Sequence, residues 1–202
     1  PQDWQTILAT NNAQPPMTLR VNARKSTQVQ YKKSLGAINF ESSAVAQIGL
    51  QLVQAAPVQE LPHFADGWVS VQDAAAQVAA PLLLADLPQP QGRPLRVLDA
   101  CAAPGGKTAH LLEYAAPGSV EVTALEIDSE RADRIGETLS RLGLQAKVLV
   151  ADASTPQDWF ESQCGGQLFD AILLDAPCTA SGIVRRQPDV RWLRRESDVA
   201  QL

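Results

Sequence analysis

Four short apolar runs alternate with helical stretches between residues 95 and 174, and this alternation constrains the fold more than any other feature. Residues 95–99 (LRVLD), 120–125, 146–150 and 169–174 (FDAILL) have the length and apolar content of buried strands. Between them, 106–114 and 129–142 carry helical spacing, and 158–164 predicts a shorter helix. Ser129 is the expected N-cap of the second helix, Arg141 lies in its last turn, and Gly143 follows as a stop signal. Strands joined by helices at this spacing predict a parallel sheet with helices on both faces. Ligands bind such sheets beyond the carboxyl ends of the strands, so the residues just past each run are the first candidates for chemistry.

The chain before residue 95 reads differently. Pro15 and Pro16 close an opening segment, 17–21 and 37–40 read as short strands, and 43–53 places Val45, Ile48, Leu52 and Val53 near helical spacing. A small α/β domain is predicted over 1–70, with a linker at 61–67, and a larger domain over 71–202. Residues 71–84, Ala-rich and free of glycine, predict a helix in spite of Pro81. Residues 87–94, with three prolines and a glycine, predict a surface loop.

The 202 residues, 45% hydrophobic and 19% charged, suffice for one full domain or two small ones and exclude a disordered chain. No apolar run reaches the roughly 18 residues of a membrane span, and the first eight residues lack the form of a signal peptide. Cys101, Cys164 and Cys178 have no framework spacing, which predicts free thiols and a cytoplasmic setting. His63 and His110 lie at no metal-ligand spacing from them, so no metal site is expected.

Charge is segregated within a net −5. Arg20, Arg24, Lys25, Lys32 and Lys33 stand with no acid between residues 4 and 40. Arg185, Arg186, Arg191, Arg194 and Arg195 face Asp189 alone between 185 and 195. Each stretch is either a solvated face or a local phosphate-binding surface, since screening confines the acidic remainder to about a Debye length, ~8–10 Å. Trp192 in the second stretch adds a group suited to stacking bases.

The strand ends carry the sharper signal. After the first comes DACAAPGGKT at 99–108, whose small residues and paired glycines let a ligand approach the backbone at a helix start. The G-x-G-x-x-G dinucleotide spacing is absent. Gly106-Lys107-Thr108 fits the tail of a P-loop, and Asp175 mimics its magnesium-holding acid. However, Cys101 stands where the P-loop needs its first glycine, and Pro104 lacks a backbone N–H. After the second strand comes Glu126, placed to accept from ribose hydroxyls or to be a surface acid; after the third, Asp152; after the fourth, Asp175 in DAPC.

DACAAPGGKT, ADA at 151–153 and DAPCTASG at 175–182 resemble motifs of the S-adenosylmethionine-dependent RNA cytosine-5 methyltransferases of the Sun/Fmu group. PPMTLRVN at 15–22, WVSVQD at 68–73 and RRQPDVRW at 185–192 are also similar to that group, so the likeness covers nearly the whole chain. The resemblance implies a Rossmann-like class I methyltransferase sheet preceded by a small α/β RNA-binding domain. It implies S-adenosyl-L-methionine as cofactor and ribosomal RNA, of the small subunit, as substrate. By it, Cys101, Ala102, Ala103, Pro104, Gly105, Gly106 and Lys107 wrap the cofactor's methionine and ribose side. Glu126, where the family more often has Asp, holds the ribose hydroxyls. Asp152 faces the adenine, and Asp175 lies near the reactive end and bonds the target cytosine. Arg131, on the following helix, either supports the acidic site or is a helix-surface arginine, the second being the favoured reading.

The resemblance also implies that a cysteine in a later motif attacks the base and that Cys178 assists product release. No cysteine follows Cys178 here, and only four strands precede Leu202. With the start at Pro1, this leads to the expectation of a fragment with an incomplete sheet, inactive alone and monomeric in its full-length form. Two rival functions stand beside this one: an RNA-binding module with a vestigial cofactor site, and a P-loop NTPase.

Overall fold

A computed structural model of the chain describes residues 2–43, 46 and 49–199. In chain order the regular elements are α1 (Trp4–Asn12), β1 (Met17–Val21), α2 (Gln28–Ser34), β2 (Phe40–Ser42), β3 (Gly49–Leu52) and β4 (Val69–Val71). They continue with α3 (Ala79–Leu84), β5 (Leu95–Ala100), α4 (Gly106–Tyr114), β6 (Val120–Glu126), α5 (Ser129–Leu142) and β7 (Lys147–Val150). The last are α6 (Phe160–Cys164), β8 (Ala171–Leu174), α7 (Val190–Leu193) and α8 (Glu196–Val199). Two compact units result: Met17–Asp175, and Pro1–Pro16 with Ala176–Leu202. No described helix is long and apolar enough to cross a membrane.

The larger unit holds two sheets. The second in sequence has strand order β7-β6-β5-β8 and is parallel throughout. Alternate residues of β5 serve opposite faces, the period-2 rule of a strand. Val97 packs with Ala109, Leu111, Ile135 and Leu139 from α4 and α5. Leu98 and Ala100 pack with Leu125, Leu149 and Trp159 on the other side. The expected parallel sheet covered on both faces is therefore present. Its register pairs Ala100 with Leu125 and Leu174, and Glu126 with Val150, so all four strand ends lie along one edge.

The first sheet is antiparallel, in the order β2-β3-β1-β4, and buries Leu19, Val21, Leu50, Leu52 and Val69 with Tyr31 and Leu35 around α2. Here the sequence reading needs correction. The helical spacing over 43–53 is overruled by a hairpin: the Ser43 amide donates to the Gly49 carbonyl, and β3 follows with Leu50 and Leu52 buried on alternate positions. Val45 and Ile48 lie outside the described residues. The strand expected over 37–40 sits at Phe40–Ser42. The helix expected over 71–84 begins later, because Val71 ends β4 against β1. A 3-10 turn at Ala76–Val78 then leads into α3, with Pro81 in its first turn, where a missing N–H costs no helical bond. Helix α2, which the sequence reading missed, is capped at its start by Thr27 and Gln30, which form a capping box of 3.1 and 2.9 Å. The N-cap of α5 is Asp128 rather than Ser129, its carboxylate accepting from the Arg131 amide.

In the smaller unit, Arg185 donates to the carbonyls of Ala13 and Gln14 at the carboxyl end of α1, and Arg191 donates to the Asn12 side chain. A helix end rich in unpaired carbonyls is a natural place for cations. Trp192, Leu193, Arg194 and Arg195 remain exposed.

Candidate functional site

The edge formed by the four strand ends gathers most of the predicted residues. The loop from β5 to α4 is pinned to β6: the Ala102 amide donates to the Leu125 carbonyl at 3.0 Å and the Ala103 amide to Glu126 Oε2 at 3.2 Å. Cys101 has φ +61 and Gly105 φ +91. Glycine is required at 105, since a Cβ there would stand 3.2 Å from the backbone of Ile135 on α5. At Gly106 a Cβ would meet only the Gln72 amide, at 4.0 Å, so the approach to the first turn of α4 is open. The amides of that turn have no intrahelical acceptor.

Glu126 is buried, at 2% exposure, yet its carboxylate is well supplied. Oε1 accepts from the amides of Ile127 and Asp128 and from Arg131 Nη1 at 3.3 Å, whereas among the described residues Oε2 accepts from the Ala103 amide alone. Each carboxylate oxygen has about two acceptor sites, so Oε2 retains one. Arg131 is thus no mere helix-surface arginine; it pairs with the acid at the end of β6. Asp152, past β7, accepts from the Ser154 amide at 2.8 Å, a bond that holds its carboxyl below the ordinary range. Asp175, past β8, is exposed and pairs with Lys107 at 2.5 Å. Loop 101–107, Glu126, Asp152 and Asp175 therefore share one edge of one unit. Cys178 belongs to the smaller unit, where its exposed sulfur accepts from the Ala180 amide at 3.4 Å.

Beneath the loop lies a residue the sequence reading passed over. Asp99 is buried; its Oδ2 accepts from Thr108 Oγ1 at 2.6 Å, and its Oδ1 has no hydrogen-bond partner among the described residues. Burial raises its carboxyl to about 6, against the Thr108 bond and the nearby Lys107 charge. This geometry disfavours the P-loop alternative. A P-loop needs its Thr hydroxyl free for magnesium and its Lys on phosphate. Here the Thr108 hydroxyl is buried against Asp99, and the Lys107 ammonium is at Asp175. Burial also raises the Cys101 thiol above its ordinary range, which disfavours its thiolate form.

The first basic stretch needs a further correction. Arg20 is fully buried, with Nε and Nη2 on Glu113 at 2.9 and 3.0 Å, and offers nothing to RNA. Arg24 donates to the Ala115 carbonyl, Lys25 to the Asp66 carbonyl and Lys32 to Ser42. Lys33 stands exposed.

Comparison with known proteins agrees with this geometry. The family described as 16S rRNA methyltransferase RsmB/F matches residues 86–202, and an RsmF/B-like ferredoxin-like domain matches residues 1–59. The ribosomal RNA small subunit methyltransferase B of Yersinia enterocolitica is 48% identical over the whole chain, and that of Serratia proteamaculans 47%. The chain spans 45% of the length of each. Among solved structures, a methyltransferase homolog protein from Pyrococcus horikoshii superposes with a TM-score of 0.69 at 26% identity, covering 96% of this chain and 58% of that one.

Proposed function

Because this chain belongs to the 16S rRNA methyltransferase RsmB/F family, we propose that it forms the cofactor half of an enzyme that methylates C5 of a cytosine in small-subunit ribosomal RNA, in the cytoplasm. S-adenosyl-L-methionine, when bound, supplies an electrophilic methyl group on its sulfonium. Residues 101–107 wrap its methionine and ribose side, the free acceptor site of Glu126 Oε2 takes a ribose hydroxyl, and Asp152 meets the adenine. The observation that carries this reading is the loop of 101–107 pinned to Glu126 at the strand-end edge, beside the Lys107–Asp175 pair.

The chemistry needs a thiolate because cytosine C5 is a weak nucleophile. A thiolate that adds to C6 makes C5 enamine-like and able to take a methyl group from a sulfonium, a neutral thioether being the leaving group; a general base would then take the C5 proton as the thiolate is expelled. Asp175, once released from Lys107 and carrying a proton, donates to N3 of the base and stabilises the negative charge that develops there. By the resemblance to the Sun/Fmu group, we assign attack to a cysteine of a later motif and product release to Cys178. RNA is met by the exposed Trp192, Arg194 and Arg195.

Calorimetric titration with S-adenosylhomocysteine, with Mg-ATP as control, tests the cofactor assignment. Binding that is lost on Asp152→Ala supports it. Binding of Mg-ATP alone overturns it in favour of a P-loop.

A further inference from the structure

Two arginines fasten the antiparallel sheet to the parallel one, and they do so in different ways. Arg20 leaves β1 and enters α4. Beyond its two bonds to Glu113, its Nη1 donates to the Gly106 carbonyl at 2.9 Å and to Gln72 Oε1 at 2.5 Å. Arg141 leaves α5 in the opposite sense. It donates to the carbonyls of Phe64 and Val69 at 2.7 and 3.0 Å and to Ser70 Oγ at 3.1 Å, with its guanidinium 4.2 Å from the Phe64 ring centre. None of the Arg141 bonds reaches an atom of the 101–107 loop.

Gly106 opens α4, and its carbonyl shares one rigid peptide plane with the Lys107 amide. Whatever fixes that carbonyl fixes the Lys107 N–H and the N–Cα bond beyond which the Lys107 side chain departs toward Asp175. Glycine leaves this peptide with little restraint of its own, and the space in front of it is open. To the helical bond that this carbonyl accepts from the His110 amide, the neighbouring sheet adds the bond from Arg20. We infer that Arg20 is a positioning residue for the cofactor loop: braced by Glu113 and Gln72, it orients the Gly106–Lys107 peptide from outside the parallel sheet. The inference rests on the reading of that loop as the cofactor site.

Arg20→Lys tests it. Lysine keeps the charge opposite Glu113 but lacks the planar fork that reaches Glu113, Gln72 and Gly106 together. Arg141→Lys is the control, since it loosens the same two sheets without touching the loop. The coupling is read first by hydrogen exchange in the ligand-free chain. Amides over 105–109 should exchange faster in Arg20→Lys and at the wild-type rate in Arg141→Lys. The consequence is read by titration with S-adenosylhomocysteine, where Arg20→Lys should bind about tenfold more weakly and Arg141→Lys unchanged, as expected for loss of a charge-assisted bond. Equal effects of the two lysine variants on either readout would reduce Arg20 to a docking contact and overturn the inference. If Arg20→Lys lacks a cooperative melt, Gln72→Met, which removes the brace on Nη1 alone, takes its place; wild-type exchange and affinity in that variant overturn the inference. A wild-type chain that fails to bind S-adenosylhomocysteine, yet shows the exchange difference, refutes the cofactor reading while leaving the Arg20–Gly106 coupling intact.

Discussion

His110 is the place to test how burial and charge set the stability of this chain. It lies in the buried face of α4, at 1% exposure, and neither ring nitrogen has a hydrogen-bond partner among the described residues. Burial lowers its pKa from 6.5 to about 3, and the nearby Arg20 charge adds to the shift. The folded state therefore keeps it neutral down to about pH 3, while the unfolded chain protonates it below about pH 6.5. Between those limits the unfolded state binds the extra proton, so this residue's contribution to stability falls as pH falls. At pH 4.5 the unfolded form is favoured by two pKa units, or about 3 kcal/mol relative to pH 7.5. His110→Met removes that term with little change in volume, and removes two unpartnered buried nitrogens as well. Urea unfolding of both proteins at pH 7.5 and 4.5 gives the answer. The acid loss of the wild type should exceed that of His110→Met by about 3 kcal/mol; other groups, Asp99 included, titrate in both proteins and cancel. Equal losses would refute the reasoning and mean that His110 is protonated, or solvated, in the folded chain.

Other outcomes follow from single positions. Gly105→Ala forces a Cβ to within 3.2 Å of Ile135 at φ +91. It should cost about 1–3 kcal/mol in urea unfolding and weaken S-adenosylhomocysteine binding in parallel. Trp192→Ala should reduce affinity for single-stranded RNA by about 1–3 kcal/mol in fluorescence anisotropy. Arg194→Ala should lower the slope of log affinity against log salt by about one; an unchanged slope would remove it from the RNA surface.

The parallel half of the fold was legible because its signals are local. Helices α4 and α5 were read to their final residue, since apolar spacing, a glycine-rich start and the Gly143 stop lie within the segments themselves. The strand-end acids were legible for the same reason: a parallel sheet turns position in the sequence into position on one edge. The antiparallel half was harder. Strands β3 and β4 are four and three residues long, and partners in another part of the chain decide their state. Helical spacing over 43–53 was real in the sequence and was overridden by the pairing of Leu50 with Leu19 and Ser42. Asp99 was missed because its importance lies in burial beside Thr108, which no spacing rule reports.

The arginines show where charge counting stops. Arg20, Arg185 and Arg194 are one residue type in two basic stretches, yet one is buried against Glu113, one caps the carboxyl end of α1, and one faces solvent. Glu113 is 93 residues from Arg20, and the carbonyl held by Arg185 is 171 residues away. Nothing within a local window distinguishes the three. A guanidinium that has lost its water must find partners inside the protein, because an unpaired buried charge costs several kcal/mol. Only one at the surface can reach a phosphate and release the cations condensed on the nucleic acid. Exposure is therefore the property that separates an RNA contact from a structural brace. By that criterion Arg20 leaves the proposed RNA surface, whereas exposed residues such as Lys33, Arg194 and Arg195 stay on it; the charge of Arg20, read from sequence as a handle for phosphate, ties the first sheet to the loop of the proposed cofactor site.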